Sequence, residues 1–319
     1  MSCNVPVLLI FFNRPNMVKE VFSEIRKAKP KKLYLSQDAP RDGVDEIAVQ
    51  KCREIVSNVD WDCEVFTNYH NKNLGCGEGP FDAINWVFKN EERAIILEDD
   101  CIPSQSFFKF CDDMLDRYDK DERIFLVTGC NFELNSAYVD EDYFFGLSGT
   151  NWGWATWKRN WEMMDYSCGW IANDYLWDNL KEKLTMFYGK RKANYEIKYF
   201  KRTYDKVKSG EKVDYWDIQW QAIRYLNNQL SIIPKKNLIT NIGIGKESTH
   251  SKKINKPVNF WNNEGDIHFF YNSRYEIDFP LKHPNAVIEN RKYDNLISKK
   301  LNPSLLKKVF IKLGIINNF

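Results

Sequence analysis

The sequence predicts an α/β protein with a mainly parallel sheet and helices on both of its faces. Strand and helix signals alternate along the first 130 residues, and strands that alternate with helices form parallel sheets with both faces covered. The chain is also long enough to bury a large core, with 319 residues of which 43% are hydrophobic.

The first strand and the first helix are predicted from two different apolar patterns. Val5–Phe12 is a nearly continuous apolar run, which is typical of a buried strand. After Pro15, apolar residues recur with the spacing i, i+3, i+4 and i+7, which places them on one face of an amphipathic helix. These residues are Val18, Val21, Phe22 and Ile25.

The alternation continues to residue 128. The segments predicted as strands are Lys32–Ser36, Cys63–Thr67, Ala94–Leu97 and Ile124–Thr128. The segments predicted as helices are Asp45–Val59, Phe81–Phe88 and a helix that runs from an N-cap at Ser104 through Tyr118.

The regular alternation fades near Asn131, where the composition also changes. Eight of the 11 Trp residues lie between Trp152 and Trp220. We therefore expect a first half over residues 1–130, a second half over residues 131–295 that is built on the first, and a separate tail over residues 296–319.

The tail has five lysines, no acidic residue and an apolar stripe, so it is predicted to form a basic amphipathic helix. Such a helix suits an anionic membrane surface, and it equally suits packing on its own domain with solvated lysines opposite. The sequence leaves both alternatives open.

Charge and cysteine usage narrow the class of protein. The 46 basic and 44 acidic residues give a net charge of +2, which argues against a general nucleic-acid binder. The apolar run near the start is too short to span a bilayer, so we expect a cytoplasmic protein. The eight cysteines show no CxxC pair and no zinc spacing, which favours reduced, buried thiols.

Polar residues follow the predicted strands at their carboxyl ends, which is where open α/β sheets bind ligands. The segment Glu98–Asp100 closes a buried strand, whereas a second acidic triplet, Asp140–Asp142, lies among loop residues. Carboxylates at the first position suit Mn²⁺ or Mg²⁺ bound against a diphosphate. We therefore predict the metal site there. The other segments expected at this edge are Asn13–Pro15, Ser36–Asp38 and Asn73–Gly75.

Gly75–Pro80 is glycine-rich and is predicted to be a turn. It lacks the Lys-Ser/Thr of a Walker loop, and it follows the third strand, not the first as a dinucleotide fingerprint would. Contact with donor phosphates and a plain connecting turn are equally good interpretations.

Six motifs along about 240 residues, taken together, resemble glycosyltransferases of the GT-A fold. The resemblance is to the N-acetylglucosaminyltransferase I family and to bacterial capsule and O-antigen transferases that are often labelled hemolysin-like. The motifs are FNRP (Phe12–Pro15), LSQD (Leu35–Asp38), ILEDD (Ile96–Asp100), GWATW (Gly153–Trp157), YWDIQW (Tyr215–Trp220) and TNIGIGKESTH (Thr240–His250).

The resemblance implies a Rossmann-like nucleotide-sugar half over residues 1–130 and an acceptor half over residues 131–295. Arg14 and Asp38 would contact the uridine and its phosphates, Asp99 the ribose and Glu98 the donor sugar. The donor-binding residues that we expect are Asn13, Arg14, Asp38, Gly75, Glu98 and Asp99.

The resemblance also implies a metal site and a general base. Asp100 would bind Mn²⁺ or Mg²⁺. His250 would lie in a loop that closes over the donor; we assign it to the same metal site, with a loop histidine that has no catalytic role as the alternative. Asp217 would remove the proton of the acceptor hydroxyl. The paired Asp-Asp of the family is Asp217-Ile218 here, and Asp217 could instead, or also, cap a helix over Ile218–Leu226.

The Trp-rich segment offers flat apolar faces that suit the C–H groups of sugars. We expect one or two of Trp152, Trp154 and Trp216 to line the acceptor pocket, although core packing is the ordinary role of any single Trp.

Taken together, the motifs and the resemblance predict a metal-dependent inverting transferase that moves a sugar from a UDP-sugar to a glycan. We favour a lipid-linked glycan as the acceptor.

Two alternatives compete with this expectation. A sugar-nucleotide pyrophosphorylase would need a glycine-rich basic loop after the first strand, where this chain has Asn13–Pro15. A non-enzymatic, membrane-active protein that uses the tail would leave the LSQD and ILEDD motifs unexplained.

Overall fold

A sheet of eight strands forms the centre of the computed structural model, which describes residues 3–243 and 271–301. The described residues form ten strands, which are β1 (Val7–Phe11), β2 (Lys32–Gln37), β3 (Glu64–Tyr69), β4 (Arg93–Glu98), β5 (Cys101–Pro103), β6 (Ile124–Thr128), β7 (Tyr143–Gly146), β8 (Trp154–Trp157), β9 (Leu230–Pro234) and β10 (Ile239–Asn241). Of these, β5 and β10 form a separate two-stranded sheet. The helices are α1 (Pro15–Ala28), α2 (Glu46–Val56), α3 (Gly75–Asn90), α4 (Gln105–Arg117), α5 (Lys158–Trp161), α6 (Asp174–Lys208), α7 (Asp217–Leu226) and α8 (Arg291–Leu301).

The strand order of the sheet is β3–β2–β1–β4–β8–β6–β9–β7. β1 pairs in parallel with β2 and β4, β2 with β3, and β6 with β9. β8 and β7 run antiparallel to their neighbours, so six strands share one direction. This confirms the predicted mainly parallel sheet. The sheet draws strands from both predicted halves, and the division into halves stays a prediction.

Helices cover both faces of the sheet, and each face has its own apolar cluster. Because side chains alternate across a strand, Val7 and Leu9 of β1 belong to the cluster that includes α1, α2 and α4. Leu8, between them, belongs to the cluster that includes α3, α5, α6, α7 and α8. The predicted stripe of α1 is buried at Val18, Val21, Phe22 and Ile25. The two-faced α/β architecture is thus confirmed.

The helix α3 begins at Gly75, well before its predicted start at Phe81. The run Gly75–Pro80 is therefore helix, and the prediction of a turn was wrong. Residues 73–75 also lead into this helix and do not end a strand, because β3 ends at Tyr69. Gly and Pro have the lowest helix propensities, so the local sequence does not reveal a helix that is stabilised by contacts with distant residues.

The helix α4 begins close to its predicted start, but a distant residue satisfies its first turn. Ser104 has the extended backbone of a cap residue and makes no side-chain cap hydrogen bond. The carboxylate of Glu276 accepts instead from the backbone N–H groups of Gln105, at 2.9 Å, and Ser106, at 2.7 Å. A carboxylate at this end also interacts favourably with the helix dipole.

The described part of the predicted tail packs on its own domain. Ile297 of α8 is 1% exposed, and Ser298 Oγ donates to the Phe187 carbonyl of α6 at 2.6 Å. Residues 302–319 lie outside the described residues. Within the described ranges, the structure contains no helix with both the length and the apolar character needed to cross a membrane.

A buried carboxylate, Asp294, ties α8 to the end of β7. It accepts from Leu147 N at 2.9 Å, Ser148 N at 3.0 Å and Ser148 Oγ at 2.6 Å. Burial outweighs these hydrogen bonds and raises the pKa of Asp294 to about 6. The ionised side chain is therefore less stable in the folded protein than in the unfolded chain.

The contribution of Asp294 to the free energy of unfolding is expected to fall by about 3 kcal/mol in all as the pH rises from about 3, below the unfolded pKa, to about 7, above the folded pKa. The sign follows from the raised pKa: the stability is present below the unfolded pKa and is lost through the folded one. Chemical denaturation of the protein and of Asp294→Asn across this range measures the difference. Asp140→Asn, at an exposed site, is the control, and an Asp294→Asn profile parallel to that of the wild type would contradict the assignment.

Candidate active site

The carboxyl ends of β1 and β4 meet, and they bring Arg14 to the acidic triplet. The Arg14 guanidinium forms a two-contact ion pair with Asp99, with Nε 3.3 Å from Oδ2 and a second, short contact to Oδ1. Another guanidinium nitrogen lies 3.1 Å from Asp100 Oδ2. Asp99 is 2% exposed and also accepts from Phe12 N at 3.4 Å. Sequence reasoning placed these residues at one edge, and the structure brings them together.

The triplet carries more negative charge than its partner compensates. Among the ion pairs of the described residues, Arg14 is the only partner of Asp99 and of Asp100. Low exposure and the charges of Asp100 and Asp99 raise the pKa of Glu98 to about 8. Burial opposes the charged form of Arg14, but Asp99 and Asp100 outweigh it and raise the pKa of the guanidinium. The triplet therefore carries negative charge that a bound cation would neutralise.

The residues after β10 close over the triplet. β10 pairs antiparallel with β5, which follows the triplet directly, and Ile242 N donates to the Asp100 carbonyl at 2.8 Å. A Cβ on Gly243 would overlap the Asp100 carboxylate, so only glycine fits there without a shift. The start of the predicted closing loop thus lies against Asp100. His250, predicted in the same loop, lies outside the described residues.

The carboxylate of Asp38 caps α3. It accepts from Leu74 N and Gly75 N, both at 2.8 Å, and its Oδ1 lies 3.4 Å from His70 Nδ1. A carboxylate in this place satisfies backbone N–H groups at the start of the helix. The structure therefore brings Asp38 and Gly75 together, with the side chain of one bound to the backbone of the other.

Asn13 follows β1, and its side chain contacts an acid outside the triplet. Its Nδ2 donates to Asp45 Oδ1 at 2.6 Å, and Arg41 Nε lies 2.5 Å from Asp45 Oδ2. The Arg41 hydrogen bond lowers the pKa of Asp45 to about 2. Donor contacts of Asn13, like those of Arg14, Asp38, Gly75, Glu98 and Asp99, stay predictions.

The first turn of α3 connects the sheet edge to the segment before α7. Cys76 Sγ donates to the Asp214 carbonyl at 3.0 Å. A Cβ on Gly77 would overlap the Val213 carbonyl, so a glycine is required for this approach. Because Asp38, at the end of β2, accepts hydrogen bonds from the start of the same helix, the segment that leads to Asp217 lies close to that end of β2.

Asp217 is the first residue of α7, with Trp216 in the cap position. The cap residue therefore lies one position before the predicted cap, Asp217. The negative charge of Asp217 in the first turn still interacts favourably with the helix dipole. Its charge contributes to the raised pKa of Glu98, after burial and the other two acids of the triplet. The structure thereby places Asp217 within electrostatic range of an acid that is 119 positions earlier in the chain.

A cluster of four Trp rings supports this position of α7. Trp154 and Trp220 have ring centroids 5.7 Å apart, and Trp161 lies 4.9 Å from Trp220. Trp216 stacks at 6.0 Å from Trp154. Such aromatic pairs contribute beyond the area that they bury.

The Trp cluster bears on the predicted acceptor site. Trp154 is 0% and Trp216 3% exposed, so these rings have a core-packing role here and present no open face to a sugar. Trp152 is partly exposed and forms an edge contact with Phe132, with centroids 5.9 Å apart. Its acceptor role stays a prediction.

The sequence did not reveal a buried ion pair within electrostatic range of Asp217. Lys192 and Glu196 of α6 are paired and nearly inaccessible. Burial raises the pKa of Glu196 against the effect of Lys192, and the charge of Asp217 adds to the rise. The i, i+4 spacing of Lys and Glu was the available signal, but the same spacing is common on exposed helix faces.

The fit of the triplet to a divalent cation is favourable in charge and donor type. Three carboxylates with a single arginine leave negative charge uncompensated, and carboxylate oxygens are the ligands that Mn²⁺ and Mg²⁺ prefer. The geometry fits a cation less well than the charge does, because in the described ranges no three His, Cys, Asp or Glu side chains are grouped so that they could hold a metal ion. Arg14 forms ion pairs with Asp99 and Asp100, so these two carboxylates already have a cationic partner.

No protein-family model matches the chain. No curated protein matches it significantly. Among solved structures it is similar to HddC from Yersinia pseudotuberculosis, with 14% identity over 39% of this chain and 57% of that one and a TM-score of 0.28. This chain thus spans little more than half of HddC.

Two further solved structures are similar over larger shares. A UDP-glucose pyrophosphorylase complexed with UDP-glucose is 9% identical over 74% of this chain and 92% of that one, with a TM-score of 0.37. The inositol-1-phosphate CTP transferase from T. maritima is 9% identical over 51% of this chain and 75% of that one, with a TM-score of 0.32. These values are too low to identify an activity.

Proposed function

We propose that the protein is a metal-dependent inverting glycosyltransferase that moves a sugar from a UDP-sugar to a hydroxyl group of a glycan. The observation that carries the proposal is the chain of contacts from the sheet edge to α7. Asp38 holds the first turn of α3, that turn holds residues 213–215, and Asp217 follows. Asp217 also affects the pKa of Glu98 at the acidic end of β4, which supports its proposed role across the site from the diphosphate.

The proposed reaction needs the two sides of this site for different tasks. Asp217 accepts the proton of the acceptor hydroxyl, whose oxygen forms a bond to the anomeric carbon from one face of the sugar. The bond from that carbon to the diphosphate oxygen breaks on the opposite face, and UDP leaves with the electron pair. Atoms and charge balance without a covalent enzyme intermediate.

The triplet side would receive the diphosphate. A divalent cation held by Asp100, with Glu98 and Asp99 nearby and His250 as a further proposed ligand, would stabilise the charge of the leaving diphosphate. Arg14 holds Asp99 in place and would supply a second positive charge beside the diphosphate. Trp152 is the proposed sugar-stacking residue on the acceptor side, where we favour a lipid-linked glycan.

Calorimetric titration of UDP into the protein tests the donor site directly. We expect binding in Mn²⁺ that is lost in EDTA, and a loss of affinity of about tenfold or more in Asp100→Ala, because the cation links protein to diphosphate. Asp140→Ala in the other acidic triplet is the matched control and should bind as the wild type does.

The other outcomes distinguish the competing functions. UDP affinity that is equal in Mn²⁺, in EDTA and in Asp100→Ala would contradict the metal role of this residue. Release of pyrophosphate from UTP and a sugar phosphate would favour a pyrophosphorylase. Failure to bind UDP under every condition would contradict the proposal of a UDP-sugar donor and would leave another nucleotide or the membrane-active alternative to test.

A further inference from the structure

The part of α6 that follows the kink at Gly189 carries a concentration of positive charge. Residues 190–212 include nine Lys and Arg residues but only three Asp and Glu residues. Because the net charge of the whole chain is +2, the remaining residues together are net negative. The excess positive charge of the protein is thus collected on one helix and the residues just after it.

The helix separates these charges between its two faces. On the inward face, Lys192 and Glu196 are buried and neutralise each other. On the outward face, Lys198, Lys201 and Arg202 are all exposed. Their spacing of i, i+3 and i+4 makes them neighbours on the helix surface. The uncompensated charge therefore faces outward.

These three cations and Lys206 line an open groove of about 640 Å³. Asp205 and Glu211 also line it, so cations outnumber acids by two to one. Within the described part of the chain, none of the four cations forms an ion pair. Unpaired like charges at this spacing repel each other, and an external anionic partner would relieve the repulsion.

We propose that the basic face of α6, defined as Lys198, Lys201, Arg202 and Lys206, docks onto the anionic headgroups of a phospholipid membrane. Cations along one face of a helix match the geometry of a planar, negatively charged surface, and each of them adds to the attraction. Docking of this kind does not depend on sugar transfer.

Co-sedimentation of the full chain with vesicles tests this docking. One vesicle is phosphatidylcholine alone, and in the other phosphatidylglycerol replaces about a third of it. We expect binding to the second vesicle only, at low salt, with loss of binding at about 0.5 M salt because exposed charges are then screened. The triple variant Lys198→Glu, Lys201→Glu, Arg202→Glu should partition about tenfold more weakly or worse.

A second triple variant separates a local surface from net charge. Lys19→Glu, Lys51→Glu and Lys72→Glu change the net charge equally at exposed positions of the first half. Circular dichroism and the unfolding transition check that both variants are folded. Retained binding by the control supports docking through α6. Equal losses in both variants, binding that survives in the α6 variant, no binding to either vesicle, or preferential binding to DNA would overturn the proposal.

Discussion

Asp217→Asn is expected to lower the rate constant of sugar transfer by about 10²- to 10⁴-fold, while the affinity for UDP stays unchanged. Asn has the same shape as Asp but cannot accept the proton of the acceptor hydroxyl. The substitution therefore lowers kcat and leaves the affinity for UDP unchanged, because the proposed donor site is formed by other residues. A transfer assay with saturating UDP-sugar, combined with calorimetry of UDP binding, measures both quantities.

A neighbouring acid provides the control for this prediction. Asp214 is exposed and lies three positions earlier in the same segment, so Asp214→Asn should retain activity within about twofold of the wild type. Removal of a charge from the first turn of α7 costs about 0.3–1 kcal/mol, which does not unfold the protein. Full transfer activity in Asp217→Asn would exclude this residue as the base.

Arg14→Met is expected to lower the free energy of unfolding by about 3–5 kcal/mol in the presence of EDTA. Asp99 would remain buried without its partner, and Glu98 and Asp100 would lose the one cation paired with the triplet in the described residues. An unpaired buried charge costs far more than a lost surface pair. Urea denaturation of the wild type and the variant at neutral pH gives the difference.

Two further variants test the origin of that loss. Arg14→Met combined with Asp99→Asn removes both charges, and it should recover part of the stability lost in Arg14→Met alone. Arg26→Met breaks a surface ion pair with Asp60, where both side chains are well exposed, and should change stability little. If Arg14→Met were as mild as Arg26→Met, the buried pair would have no special structural role.

Local sequence patterns were sufficient wherever burial follows a simple period. The stripe of α1 and the bounds of β6 agree with the structure because one face of a helix, or a whole strand, has to leave water. The position of Glu98–Asp100 at a strand end was also correct. In a parallel sheet, that position implies proximity to whatever follows the neighbouring strands, and Arg14 is there.

Contacts between distant residues account for the differences. The glycine-rich start of α3 has poor helix propensity, and Asp38 caps it from the end of β2. Glu276 accepts a hydrogen bond from Gln105 N at the start of α4, although the two residues are 171 positions apart. No local window contains both partners of such a contact, so neither could be predicted from the pattern around the helix itself.

The sequence by itself determined the layered α/β architecture and the polar edge at the ends of β1, β2 and β4, because alternation and periodicity are local properties of the chain. Only the tertiary structure decided which groups at that edge pair with one another and which rings are buried. Arg14 pairs with Asp99, and Trp154 and Trp216 lie in the core. Lys192 pairs with Glu196 inside the protein. The physical reason is that burial and charge pairing depend on three-dimensional distance, which the folded chain sets for residues far apart in sequence.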